Sequence, residues 1–322
     1  MKAISIFSGG LDSILATLLV KESGIEVLPV FFSTPFFTPE KALESAEKNN
    51  LPLKIIDITD QYFPLLKRPK HGFGGNMNPC IDCHALMIRL AGKMLEDEKA
   101  DFIVSGEVLG QRPMSQNMVS LSRIEKESEM KGLILRPLSA KLLPKTVPVI
   151  NGWINEKSLL NFSGRSRKPQ IALARKYNIK DYPHPGGGCL LTDPIFCKKL
   201  KDLMDNSSEL NKKEIEFLKL GRHFRFTPDT KIVVGRNQNE NEQILSLAGQ
   251  NGYYFHTITN PGPVVYVSGR RLPETDMLAA SITASYSDQN SGEIEIALNH
   301  NGRKETLKVE IKDKGDFRNY MI

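Results

Sequence analysis

The earliest residues whose types and spacing could do chemistry are Ser8-Gly9-Gly10-Leu11-Asp12-Ser13. They follow the apolar run from Ile4 and precede a helical pattern with Ile14, Leu15, Leu18 and Leu19 on one face. Glycines between a strand and a helix let backbone N–H groups approach an anion, and the helix N-terminus adds its positive end. The loop is not a Walker A motif, because no Lys-Ser/Thr pair follows the glycines. A second group is Asn78-Pro79-Cys80-Ile81-Asp82-Cys83, with Cys189 far downstream. A C-x-x-C at a helix start brings two sulfurs together where the helix end favours thiolate. By itself such a pair fits a redox couple, half a zinc site or cluster ligands. A tetrahedral zinc site needs a fourth ligand, for which Cys197, His84 and His184 are candidates. Three thiolates on an iron–sulfur cubane instead leave one iron open.

Positioning these groups requires a particular order of elements. Strand-like runs at 3–7, 26–32, 53–58, 101–104 and 133–135 alternate with helical patterns at 13–21, 39–49 and 83–98. Nearly continuous apolar strands suit a sheet covered on both faces. The expected fold class is α/β, a doubly wound parallel sheet, followed by a smaller C-terminal α+β domain. Ligands then bind at the carboxyl ends of the strands, where Ser8-Gly9-Gly10, Phe31-Phe32-Ser33 and Ser105-Gly106-Glu107 should share one cleft. Residues 60–82 read as a long Pro/Gly-rich connection delivering Cys80 and Cys83, and 183–188 as a turn ahead of Cys189. Expected domain limits are 1–194, a helical connector at 195–229, and 230–322. The last segment reads as strand, helix, strand, strand, helix and a final hairpin.

The chain of 322 residues has 40% hydrophobic and 25% charged residues and a net charge of +6, which is the composition of a globular protein. No apolar run reaches membrane-span length and no signal peptide is visible, so a cytoplasmic protein with reduced thiols is expected. Residues 1–225 carry 33 Lys and Arg against 25 Asp and Glu; residues 226–322 carry 10 against 12. Clusters at Lys67-Arg68-Lys70-His71, Arg165-Arg167-Lys168 and 198–225 are candidates for nucleic-acid phosphates or simply solvated charge.

The string Ser8–Ser13 resembles the SGGxDS PP-loop of the ATP pyrophosphatases, which split ATP between its α and β phosphates and adenylate a substrate. Asn78–Cys83 is similar to the NPCxxC segment of tRNA 2-thiouridine synthases, and the stretch from Gly186 to Asp193 resembles their GGCLLT segment. Gly106-Glu107-Val108-Leu109-Gly110-Gln111 with Ser115-Gln116, and Arg136-Pro137-Leu138, resemble segments of 4-thiouridine synthases. The resemblance covers about residues 1–194 and implies an adenine nucleotide alpha hydrolase-like fold and an ATP-dependent tRNA uridine thiolase. It implies nucleotide contacts from Ser8, Gly9, Gly10, Asp12, Ser13, Phe32, Gly106 and Gln111, with Asp12 positioning Mg²⁺. It also implies catalytic roles for Asp12, Cys80, Cys83 and Cys189, the cysteines holding a [4Fe-4S] cluster, with zinc as the alternative metal. The implied partners are tRNA and a sulfur source, either sulfide or a cysteine desulfurase, with no membrane. Rival readings are sulfur insertion into a small molecule, an RNA-binding protein with a structural zinc, and a PP-loop amidating ligase. Residues 230–285 resemble the NFACT-R RNA-binding module, which implies RNA contact through Arg236, His256, Arg270 and Arg271. Asp82 is expected at a helix N-cap. Cys197 and Trp153 are expected in the core.

Overall fold

A computed structural model describes residues 1–182 and 188–322. The expected turn at 183–188 falls almost wholly outside the described residues, as do His184, Gly186 and Gly187. The chain divides into two units, Met1–Asp193 and Pro194–Ile322.

The first unit runs β1 (Lys2–Ile6), α1 (Leu11–Glu22), β2 (Glu26–Ser33), α2 (Glu40–Lys48), β3 (Lys54–Asp57), α3 (Thr59–Lys67) and α4 (Cys80–Lys93). It continues with β4 (Phe102–Ser105), α5 (Met118–Ser128), β5 (Ile134–Leu135), α6 (Val147–Ile150) and α7 (Lys168–Lys176). The strands form a parallel sheet of order β3-β2-β1-β4-β5. The order reverses between β1 and β4, which is where open α/β sheets bind ligands. Ile6 is level with Val30 on one side and Ser105 on the other, so the ends of β1 and β4 open together while β2 runs on to Ser33. Ile14, Leu15 and Leu19 of α1 pack with Ala3, Val104 and Leu135 in one core. Trp153 packs against Phe102 at that core, as expected.

Two elements of this unit differ from the sequence expectation. The first part of the 60–82 connection is the helix α3, with Pro64 inside it and Tyr62 and Leu66 buried. Proline reads as a breaker, and Pro64, past the first turn of α3, cannot donate the backbone bond to Asp60 O. The burial of Tyr62 and Leu66 stabilises the helix. The helix α5 gave no clear signal; Leu121 and Ile124 are buried while Met118 and Val119 are exposed.

The second unit runs α8 (Pro194–Asn206), α9 (Lys212–Leu218), β6 (Arg222–Thr227), β7 (Thr230–Val234), α10 (Gln238–Ala248), β8 (Tyr254–Thr257), β9 (Val265–Ser268), α11 (Pro273–Ser285), β10 (Glu293–His300) and β11 (Arg303–Glu310). Its strands form an antiparallel sheet of order β11-β10-β8-β9-β7-β6. The strand β6 occupies residues expected to be a helical connector. Phe224 is buried against α11 residues and His223 is buried on the opposite side, the period-two pattern of a strand. Its basic residues concealed that pattern in the sequence. Cys197 is buried in α8 beside Phe196 and Leu200, as expected. Among the described residues no helix is long and apolar enough to cross a membrane.

Candidate active site

The loop at the end of β1 is shaped by its glycines. Gly9 has φ +72°, and a Cβ there would lie 2.7 Å from Ala42 Cα. Gly106, at the end of β4, lets that strand touch the loop helix: a Cβ would lie 2.7 Å from both Ser13 Cα and Ser13 N. The Ser13 hydroxyl donates to Gly10 O at 2.8 Å and accepts from the Ser8 hydroxyl at 3.2 Å. First-turn N–H groups of α1 have no intrahelical acceptor, so they face the loop as an anion receptor.

Asp12 lies in that first turn. Its Oδ2 accepts from Gln111 Nε2 at 2.6 Å, and Gln111 Oε1 accepts from Gln170 Nε2 at 2.9 Å. Burial pushes the Asp12 carboxyl up, against the Gln111 hydrogen bond and the charges of Arg167 and Arg112. Asp12 Oδ1, Gln170 Oε1 and Arg167 Nε are buried without a hydrogen-bond partner among the described residues. An orphaned carboxylate oxygen beside the N–H groups of a helix start suits a divalent cation or its water ligands. Gln111 was expected here. Gln170, only 1% exposed, was not, because nothing in its spacing marks it out. Phe32 is also at a strand end, but its side chain is 2% exposed and belongs to the core.

The thiols occupy the same unit. Cys80 opens α4, and its Sγ accepts from Asn78 Nδ2 at 3.1 Å. The hydroxyl of Tyr62, a residue 1% exposed, donates to the Cys83 sulfur. Burial, then the Cys189 and Cys80 sulfurs, push the Cys83 thiol well up. The same three sulfurs act on Tyr62. Cys189 is placed by Leu190 N–H donating to Phe36 O at 2.9 Å, and by Asn76 Nδ2 donating to Thr192 O at 2.9 Å. The fold therefore brings the three cysteines into one electrostatic neighbourhood. Negative charge on all three needs a compensating cation, and N–H and O–H donors to sulfur suit ligated thiolate. The donor set fits iron or zinc in kind. Among the described residues, however, no group of three His, Cys, Asp or Glu side chains is spaced to hold a metal ion.

Neighbouring groups are engaged differently from the expectation. Asp82 does not cap its own helix; it accepts the N–H groups of Lys70 and His71 at 3.2 and 3.0 Å, pinning the loop ahead of the cysteines. His84 Nδ1 lies 2.7 Å from Glu107 Oε1, and Arg136 Nε donates to Glu107 Oε2 at 2.8 Å. Burial opposes ionisation of Glu107, but Arg136 and His84 outweigh it and hold its carboxyl at about 2. Lys70 pairs with Glu127 at 2.8 Å.

In the second unit several basic residues are engaged internally. Arg236 binds Glu240, Arg271 binds Asp276 and Glu305, and Arg225 and Lys231 both pair with Asp202. Lys199 donates to Leu218 O and Gly221 O at 3.2 and 3.1 Å. Arg270 is exposed. His256 is half-buried beside Tyr254, with ring centroids 6.2 Å apart.

Residues 1–142 match the family described as Thiamine biosynthesis protein (ThiI), and residues 221–321 match the NFACT protein RNA binding domain. The chain is 31% identical over 146 residues to a "Probable tRNA sulfurtransferase" of Staphylococcus saprophyticus, covering 42% of this chain and 34% of that protein. It is 26% identical over 191 residues to the tRNA-specific 2-thiouridylase MnmA of Karelsulcia muelleri, covering 53% of this chain and 46% of that protein. The chain thus spans less than half the length of these relatives. Among solved structures, a 4-thiouridine synthetase–RNA complex with bound ATP aligns at a TM-score of 0.38 and 21% identity, covering 68% of this chain and 52% of that one. The first part of the chain is thus similar to the ThiI family and its last part to the NFACT RNA binding domain.

Proposed function

We propose that the protein is an ATP-dependent tRNA uridine sulfurtransferase. The observation that carries this reading is the placement of three neighbouring thiols, with Cys189 and Cys80 both acting on Cys83, in the same unit as the Ser8–Ser13 loop. A uracil carbonyl oxygen is a poor leaving group. Its attack on the α phosphate of ATP releases pyrophosphate and converts that oxygen to an adenylate. Amides of the Ser8–Ser13 loop hold the departing pyrophosphate, and Arg112 and Arg167 oppose its charge. Asp12, held by Gln111, presents Oδ1 to Mg²⁺. Sulfur then replaces the adenylated oxygen, leaving C=S and AMP.

Cys80, Cys83 and Cys189 are the residues that would hold a [4Fe-4S] cluster. When bound, such a cluster would supply iron chemistry that keeps sulfide nucleophilic. Asn78 and Tyr62 orient two of the thiols by donating to sulfur. The C-terminal domain supplies tRNA contact, with Arg270 and His256 as the side chains best placed to make it.

The test is pyrophosphate release from MgATP by anaerobically purified protein, with and without tRNA. Wild type should release pyrophosphate only with tRNA, Asp12→Asn should lose this by at least about 100-fold, and Cys83→Ser should retain it. The same preparation should contain iron and acid-labile sulfide, and lose both in Cys83→Ser. Release that ignores tRNA would overturn the reading, and iron-free protein of full activity would remove the cluster from it.

A further inference from the structure

A buried charge network joins the two halves of the site. Gly106 rests on the backbone of Ser13 in the PP-loop helix. The next residue, Glu107, is 5% exposed and has both oxygens occupied, one by His84 and one by Arg136. Its backbone N–H is also tied, to Ser105 Oγ at 3.3 Å. Arg136, 3% exposed, reaches on to Glu125 of α5 at 2.5 Å. His84 follows Cys83 directly in α4. Two residues at the end of β4 therefore hold the nucleotide loop by contact and the thiol-bearing helix by a hydrogen bond.

This matters because an adenylated uracil has two fates. Attack by hydrosulfide gives C=S and AMP. Attack by water restores the original carbonyl and AMP, so that ATP is consumed with no product. Which occurs depends on how closely the sulfur is held to the activated carbon, and a misplacement near 1 Å costs on the order of 100-fold. A buried carboxylate with one oxygen on each of two partners is a rigid spacer for that distance.

We infer that Glu107, acting through His84, is a positioning residue that sets the thiol-bearing end of α4 against the PP-loop and so couples adenylation to sulfur transfer. The inference rests on the thiolation reading above. Glu107 itself is a poor target, because its removal strands a buried guanidinium. His84 is partly exposed and can be changed with the Glu107–Arg136 pair intact.

The experiment compares wild type, His84→Ala and His84→Gln, the last keeping an N–H for Glu107. Each is incubated anaerobically with unmodified tRNA, MgATP and sodium sulfide. Pyrophosphate and thiouridine are quantified, and melting temperatures are recorded. In His84→Ala, tRNA-dependent pyrophosphate release should stay within about 2-fold of wild type. The pyrophosphate released per thiouridine should rise at least about 10-fold. His84→Gln should return most of the coupling, which a proton-transferring histidine would not allow. An unchanged ratio in His84→Ala, whether both rates persist or fall together, overturns the inference. Wild type without tRNA-dependent pyrophosphate release overturns the thiolation reading and the inference with it.

Discussion

At the scale of single residues, two glycines of the site do different things. Gly106 has no room for a side chain, since a Cβ would press on Ser13 backbone atoms at 2.7 Å, whereas Gly10 faces only the Ser8 hydroxyl at 3.4 Å. Overpacking against backbone costs about 1–3 kcal/mol. Gly106→Ala should therefore lower the melting temperature by several degrees and abolish tRNA-dependent pyrophosphate release. Gly10→Ala should leave the melting temperature nearly unchanged. Calorimetry on the two variants checks this; equal shifts would mean that the close approach of β4 to the loop is not tight. The loop, Asp12 and the cysteine pair stood out in the sequence by residue type and spacing, whereas Gln111 was marked only by the resemblance of Gly106–Gln111 to a family segment. Gln170 and Tyr62 were not, because an amide and a phenol acquire meaning only from what the fold packs against them.

At the scale of elements, α4, α5 and the ends of β4 and β5 meet at Glu107 and Arg136. The carboxyl of Glu107 is held at about 2, below its ordinary value of 4.5. A depressed folded-state value means the ionised group stabilises the fold above about pH 4.5 and that this contribution is lost as pH falls toward 2. The shift corresponds to something on the order of 3 kcal/mol. Urea unfolding of wild type and Glu107→Gln should show a stability gap that is full at pH 7 and closes between pH 4.5 and 2. A gap independent of pH would place the cost of the substitution in packing instead. The parallel strands β1, β2 and β4 were readable as apolar runs, because burial on both faces leaves no polar alternation. By contrast, α3 was obscured by Pro64, and β6 by the charges of Arg222, which lies over the Tyr286 ring, and Arg225, which pairs with Asp202.

At the scale of the whole molecule, an excess of positive charge lies in residues 1–225 while the last 97 are slightly acidic. Within the C-terminal unit Arg225, Arg236 and Arg271 bind its own carboxylates, so the RNA contact proposed for it would fall to other exposed groups and not to a broad basic face. Near the Ser8–Ser13 loop, Arg112 and Arg167 act on Asp12, so part of the positive charge lies where the proposed nucleotide would bind. The central claim is that adenylation at Ser8–Ser13 is spent on placing sulfur in tRNA. The most direct measurement is mass spectrometry of nucleosides from tRNA incubated anaerobically with the purified protein, MgATP and sulfide. The account predicts thiouridine that requires ATP and is absent with Asp12→Asn and with Cys83→Ser. AMP and pyrophosphate formed without any thiouridine, or thiouridine formed by Asp12→Asn, would contradict it.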